Sequence, residues 1–375
     1  MAKVERLLIV GGGLAGLALT IALRRQRVSA VIVERASEWS VPGAGLYLVG
    51  CATRALQALG IADDAVRDGC VIRTQTLFNH RGTRVAEIDA EAFWEGCGTC
   101  LGIARSDLHD RLARRGAGPH VRLGVTVQAL RQHEDHVWVQ LSDGSSETYD
   151  LVVGADGIRS SIRRLEFGDS GPRFRGQVGW RFIVRRPPDL DGWAVFLGPQ
   201  SAFLMLPIGH DLAYCYADKS SAQSVPDPAQ GGIERLREDF VGFASPVREV
   251  LAQFRSADPI HFSAIEEVAH QCYGRGRVVL IGDAAHAMSP NMACGVAMAL
   301  EDALVLAEIV SRGGAALEVV PEFVRRRSAR VGRVRQQTDR RDRLRSLPPM
   351  IRDVFLRLLS RRLYKANYQP LLALP

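Results

Sequence analysis

At 375 residues the chain can bury a large core and hold two or three domains, or one nucleotide-binding domain with an inserted lobe. An apolar fraction of 47% and a charged fraction of 24% exclude an intrinsically disordered chain. The net charge of +7 is local: fourteen arginines against three aspartates between Arg325 and Arg362 leave about −4 for the remainder, and without interleaved aromatics that surplus does not read as a nucleic-acid surface.

In chain order, the first predicted strand is Arg6–Val10. Gly11, Gly13 and Gly16 follow it in the spacing G-x-G-x-x-G, and a helix pattern runs on through Leu17, Ile21 and Leu23. The stretch Leu7–Leu23 superficially resembles an export signal. Its glycines, its change of period and the apolar strand that succeeds it argue instead for strand, turn and helix. Ala30–Val33 is a second parallel strand, ending at Glu34 and Arg35. Such a turn serves a dinucleotide: Gly11 permits the tight bend, Gly13 lets backbone N–H groups approach a pyrophosphate, and Gly16 lets helix and strand pack closely. The helix N-terminus offers its dipole to the phosphates, and Glu34 stands where an acid accepts ribose hydroxyls. FAD and NAD use the same turn, so the motif alone leaves both open.

Cys97-Gly-Thr-Cys100 is a lone C-x-x-C. A zinc site would want a second pair and a redox site a helix start, so it reads as packing. Seven cysteines without a scaffold rhythm and without an export signal place the protein in a reducing cytoplasm.

A second landmark begins as a buried strand at Asp150–Gly154 and breaks at Asp156-Gly157, followed by Arg159 and Ser160. The texture then changes. Gly179–Val184, Trp193–Leu197, Ala202–Leu206 and Leu212–Ala217 are short apolar runs divided by Pro187, Pro188, Gly198, Pro199 and Pro207, which predicts a mostly antiparallel sheet. Alternation sets Phe203 and Met205 on one face, and Tyr214 and Tyr216 on one face; each pair lines a ligand cavity or fills ordinary core. Arg181 either holds a carboxylate or faces solvent. The third landmark is another strand, Gly276–Ile281, ending in Gly282-Asp283 and reaching His286, with Pro290 and Gly295 ahead of a helix from about Val296 to Ile309. An aspartate at a strand end can hydrogen-bond a polyol, and the helix N-terminus beyond it can face an electron-rich ring edge. After Pro348 and Pro349, the apolar residues Ile351, Val354, Phe355, Leu358, Leu359 and Leu363 recur at helical spacing among Arg352, Arg357, Arg361 and Arg362. They predict an amphipathic basic helix that packs on its own domain or attaches to a membrane surface or partner.

Three such motifs in this order resemble the class A, single-component FAD-dependent monooxygenases, the group of p-hydroxybenzoate and salicylate hydroxylases. The resemblance runs from residue 6 to about 345 and includes Gly43-Ala-Gly45 and Arg105-Ser-Asp-Leu108. It implies an α/β fold: a Rossmann-like FAD-binding domain (1–70, 100–170 and 274–345), an inserted mostly antiparallel substrate domain (71–99 and 171–273), and a C-terminal helical segment (346–375). It implies FAD contacts at Gly11, Gly13, Ala15, Gly16, Glu34, Arg35, Arg105, Val127, Asp156, Gly157, Gly282, Asp283, Pro290, Gly295 and Val296. The inserted sheet would then roof the active site. Tyr47, Arg181 and Tyr214 become candidates near the reacting atoms, and Tyr47, Phe203, Met205, Tyr214 and Tyr216 candidates for substrate contact.

The chain departs from the family after Pro290, where Ala293-Cys294-Gly295 and Ala297 replace a Gly-Gln-Gly-like loop with a downstream Asn. Cys294 there is a reactive thiol or a buried inert one. His286 reads as a structural part of its motif rather than a general base, because no partner residue is placed for it. The implied reaction uses NADH or NADPH and O2 to hydroxylate a small aromatic or polycyclic substrate through a C4a-hydroperoxyflavin, which needs water excluded. Epoxidation, Baeyer–Villiger insertion and a FAD-dependent reductase of the same fold remain alternatives. A halogenase is disfavoured, since no lysine lies between Lys3 and Lys219 and Trp180–Ile183 does not match that group's tryptophan motif.

Overall fold

The computed structural model describes residues 4–39, 44–116, 118, 120–168, 171–224, 232–254, 259–269 and 273–375; Lys3, Gly43 and Cys272 lie outside them. The fold is α/β. Its first layer is a six-stranded sheet in the order Gly274–Arg275, Val278–Leu280, Leu151–Gly154, Leu7–Val10, Val31–Glu34 and Val121–Leu123. All its pairs are parallel except the one to the edge strand Gly274–Arg275. A parallel sheet is covered on both faces, which is why Leu7 to Val10 is an unbroken apolar run and is wholly buried. Helix Leu14–Arg25 packs on helix Gly295–Ser311.

The register brings the three sequence landmarks together. Val10 pairs with Gly154, and Gly154 with Leu280, so the loops that follow these three strands leave one sheet edge side by side. That edge is the carboxyl end of the strands, where open α/β sheets bind their ligands.

The second layer is a seven-stranded sheet in the order His261–Glu267, Arg173–Arg185, Leu212–Ser220, Ser201–Gly209, Trp193–Leu197, Thr74–Asn79 and Arg84–Asp89. It is antiparallel apart from the pairing of Trp193–Leu197 with Thr74–Asn79. One face packs against helices Gly232–Phe240 and Val247–Gln253 in a separate aromatic core of Trp180, Phe182, Phe240 and Phe254. The other faces the first layer across a cavity.

Phe203 and Met205 correct the sequence expectation. Leu204 pairs with Tyr216 and Leu206 with Tyr214, so strand alternation sends Phe203 and Met205 to the opposite face with Cys215 and Ala217. Both are fully buried in the aromatic core, away from the cavity.

Two helices close the structure. Ala316–Arg345 packs on helix Gly295–Ser311 and on the turn Pro290–Met292, and Pro349–Tyr368 packs on strand Arg84–Asp89 at the edge of the seven-stranded sheet. The second does not bury the apolar stripe that its sequence presents. It buries Arg352, Leu356, Tyr364 and Tyr368, leaving Ile351, Val354 and Leu358 exposed. Arg352 is accommodated because its guanidinium donates to Gly198 O at 2.7 Å and Leu197 O at 3.0 Å, two carbonyls at a strand end.

Candidate active site

The cavity between the layers has a volume of about 920 Å³ and runs from the first glycine turn to the sheet above it. At its lower end the turn is built as its spacing demands. Gly11 adopts φ +110°, and a Cβ there would lie 2.5 Å from Ala155 O; a Cβ on Gly16 would lie 2.0 Å from Gly11 O. Gly13 differs, since nothing lies within 4 Å of where its Cβ would be, and it lines the cavity with Leu14 and Ala15. Glu34 reaches back to this turn and accepts hydrogen bonds from Gly12 N (2.7 Å) and Ala36 N (2.9 Å). His109, missed in the sequence, contacts Gly12 O through Nε2 at 2.9 Å, and its ring lies 5.6 Å from that of Trp39 at a tilt of 59°. Arg35 is exposed, and Val127 is buried in strand Val127–Gln132; neither lines the cavity.

The second landmark contributes backbone rather than its acid. The Asp156 carboxylate turns away from the cavity and accepts from Ser160 Oγ (2.5 Å), Ser161 N (2.6 Å) and Ser161 Oγ (2.8 Å), fixing the start of helix Ser161–Phe167. Gly157, Ile158 and Arg159 form the wall instead. Arg163, also missed, is 2% exposed and donates to Ile158 O and Ala284 O, both at 2.7 Å, bracing the second landmark against the third.

The third landmark splits its two acids between tasks. Asp283 is exposed to the cavity, and among the described residues its carboxylate takes no side-chain partner. Asp302, on the following helix, is wholly buried and accepts from Gly282 N (2.9 Å), His286 Nε2 (2.7 Å) and Arg327 Nε (2.7 Å). A carboxylate only accepts, so His286 carries its proton on Nε2 and is a strut, as its lack of a placed catalytic partner implied. Pro290, Asn291, Ala293, Gly295 and Val296 then line the cavity. Ala293 sits at φ +49°, a left-handed conformation in the loop where the family carries glycine. Cys294 is buried, with Sγ 3.1 Å from Met292 O, and burial pushes its thiol up to about 12, which keeps it protonated and inert.

Several features fit FAD. Glycine backbone is open at two places on the cavity floor, at Gly13 and at Gly295, where no atom occupies the Cβ position. Asp283 presents a carboxylate to a polyol. Arg105 lines the cavity with a buried Nε that has no partner among the described residues. The amides at the start of the seventeen-residue helix Gly295–Ser311, without a side-chain cap, face the space a flavin ring would fill.

Above this lies a mixed surface. Tyr214 and Tyr216 face the cavity with Ala202 and Leu204. Arg181 faces it too rather than solvent, donating to Ser263 Oγ at 2.7 Å with its guanidinium carbon 5.3 Å from the Tyr216 ring centre. Burial raises the Tyr214 hydroxyl above its ordinary range while Arg181 opposes the shift. The Tyr216 hydroxyl is buried without a partner among the described residues. On the far side Tyr47 accepts from Gln75 Nε2 at 2.6 Å, and Tyr364 accepts from Gln75 at 3.3 Å and from Trp94 Nε1 at 2.9 Å. Burial, with Cys100 and Tyr364 nearby, holds Tyr47 well above the usual phenol range, so it is a neutral donor. Past this chain the cavity becomes apolar, lined by Leu77, Ile88, Trp193, Val195, Leu197, Phe355, Leu356 and Leu363.

Comparison with known proteins agrees with this geometry. Residues 4–338 match the family described as FAD binding domain. A 2-heptyl-3-hydroxy-4(1H)-quinolone synthase from Pseudomonas aeruginosa is 33% identical over 334 residues, covering 88% of this chain and 87% of that protein. The chain belongs to the FAD-dependent monooxygenases. An aurachin C monooxygenase/isomerase from Stigmatella aurantiaca is 32% identical to this monooxygenase over 311 residues, 81% of this chain and 80% of that one. The fold matches HpxO of Klebsiella pneumoniae, solved with FAD and uric acid, at a TM-score of 0.85 and 22% identity, covering 98% of this chain and 92% of that one. The cofactor of this monooxygenase is FAD. Among the described residues no helix is long and apolar enough to cross a membrane.

Proposed function

We propose that this monooxygenase hydroxylates a planar bicyclic heteroaromatic of the 4-quinolone type that carries an aliphatic chain, using NADH or NADPH and O2. The observation that carries the reading is the change of lining along one cavity: polar groups at Tyr47, Gln75, Tyr214 and Arg181, then the apolar passage through Leu77, Ile88, Trp193, Val195 and Leu197. The 2-heptyl-3-hydroxy-4(1H)-quinolone named for a relative has such a shape, a polar ring bearing a seven-carbon chain.

FAD, when bound and reduced by the nicotinamide, supplies the activated oxygen; the chain's own residues bind, orient and shield. Gly13, Arg105, Asp283, Gly295 and Val296 hold the cofactor at the floor. Gln75 donates to Tyr47 and so leaves that phenol's proton for a ring carbonyl. Tyr214 and Tyr216 cover the ring and keep water out, and the passage fixes the ring's direction by taking its chain. The cytoplasmic setting rests on the thiols, since the described cysteines are all unpaired.

The test is anaerobic reduction of the bound flavin by NADH and by NADPH, with 2-heptyl-4-quinolone, 2-methyl-4-quinolone, salicylate or uric acid present. The long-chain quinolone should accelerate bleaching most, and under an ¹⁸O2 atmosphere should gain one labelled atom. Stimulation by salicylate or uric acid alone would replace this substrate class, and bleaching without an oxygenated product would make the protein a reductase.

A further inference from the structure

The helix Pro349–Tyr368 has a second face that the active site does not use. On it Met350, Ile351, Val354 and Leu358 are 85%, 60%, 55% and 75% exposed. Single exposed apolar side chains are ordinary, but here they cluster: six of the twelve large apolar side chains exposed among the described residues fall between Leu347 and Leu358. The same face becomes basic one turn later. Met350, Val354, Arg357 and Arg361 form one row at three- and four-residue spacing, and Ile351, Leu358, Arg362 and Lys365 the next. Arg357, Arg361 and Arg362 also border a shallow groove with Arg84, whose acid, Glu87, is already paired to Arg84. Among the described residues none of Arg357, Arg361, Arg362 and Lys365 has an ion-pair partner.

We propose that this face docks the enzyme on an anionic lipid bilayer. The apolar half enters the boundary between headgroups and acyl chains, and the basic half lies on lipid phosphates. A second copy of the chain suits the face poorly. A two-fold contact sets the face against itself, and with no acid on it such a contact gives the arginines no countercharge even where apolar side chains meet. An anionic bilayer satisfies both halves together. Phe355 lies on the seam, 36% exposed outside while also lining the cavity, so docking would bring the apolar end of the cavity to the lipid surface.

The experiment is flotation of the FAD-loaded enzyme with vesicles of phosphatidylglycerol and phosphatidylethanolamine, and separately of phosphatidylcholine, without substrate. Two variants accompany it, M350S/V354S/L358S and R357Q/R361Q/R362Q. These side chains are exposed and outside the cavity, so flavin content and melting temperature should match the parent enzyme and report that the variants are folded. The parent should float with the anionic vesicles and far less with the neutral ones. The arginine variant should lose on the order of a hundredfold in partitioning. The serine variant should fall to the neutral-vesicle level. Equal or absent flotation of the parent on both lipids overturns the proposal, as does parent-like flotation of both variants. If instead the parent is a dimer that the serine variant dissociates, with no flotation, the face belongs to a second copy. Because no substrate is involved, failure here leaves the quinolone reading standing, and failure of that reading leaves docking standing.

Discussion

Arg327 and Asp302 lie 2.7 Å apart, both without solvent exposure, and the same carboxylate holds His286 and the Gly282 amide. Arg327 also donates to Glu301 at 2.9 Å, and Arg330 grips Glu301 from the other side. The long arginine-rich helix thus supplies the countercharge that lets two acids sit under the Gly282 turn. Removing one partner leaves the others buried and unpaired. Arg327→Met should therefore cost about 3–5 kcal/mol, seen as a fall in melting temperature and in FAD retained on purification. A variant that melts and binds flavin like the parent would show the cluster to be dispensable.

The same cluster sets an acid limit. Burial alone would raise the Asp302 carboxyl, but His286 and Arg327 hold it below the ordinary range. A depressed folded value means the stabilisation is complete above the unfolded value, about 3.9, and is lost as pH falls through the folded value. Chemical denaturation across pH 2 to 7 should show this acid limb in the parent. Asp302→Asn should be less stable at neutral pH and should lack its share of the limb; an unchanged limb would assign it to other carboxylates.

Two glycines separate folding from cofactor binding. Gly16→Ala places a Cβ 2.0 Å from a backbone oxygen and should prevent folding or lower stability severely. Gly13→Ala meets no protein atom, so the apoprotein should melt normally. It should bind FAD at least tenfold more weakly, read by flavin titration, because the methyl occupies cofactor space. Normal FAD affinity would place the pyrophosphate elsewhere.

Asp283 offers a milder version. Among the described residues its exposed carboxylate has no side-chain partner, so Asp283→Ala should leave the fold intact and weaken FAD by about tenfold, the worth of a hydrogen bond to a charged acceptor. Loss of folding instead would make it a structural acid like Asp302.

The apolar passage predicts a chain-length effect. Val195→Phe narrows it between Leu77 and Leu204, the side chains carried opposite Val195 on the two neighbouring strands. KM for the heptyl quinolone should rise about tenfold or more while the methyl quinolone is spared, since each displaced CH2 is worth about 0.8 kcal/mol. Equal losses for both would put the chain elsewhere.

The glycine turns and strand-end acids were readable because their chemistry is local: a bend, a close approach or a dipole needs particular residues at fixed spacing. Which face of a strand meets the ligand was not. Both faces of the seven-stranded sheet are apolar, one toward aromatic core and one toward the cavity, so alternation separated Phe203 from Leu204 without saying which looked inward. The partners of Asp156 were not legible for a related reason, because a carboxylate near serines can cap a helix as readily as it can face a ligand. Gln75 hid within a strand, identifiable only once Tyr47 and Tyr364 were seen to flank it. The ion pairs of helix Ala316–Arg345 were not legible because their acids, such as Asp218 for Arg345 and Glu301 for Arg327, lie on other elements.

The parallel sheet has a consequence for synthesis on the ribosome. Strand Leu7–Val10 must wait for Leu151–Gly154 before it gains that neighbour, and the third cofactor loop exists only after Val278–Leu280 has emerged. Tyr364, which closes the Gln75 chain, comes later still. Through most of translation the nascent protein therefore holds an unfinished apolar sheet and no complete cradle, the condition in which chaperone protection matters most. Flavin supply can then influence yield only at the last stage, by trapping chains that have already closed.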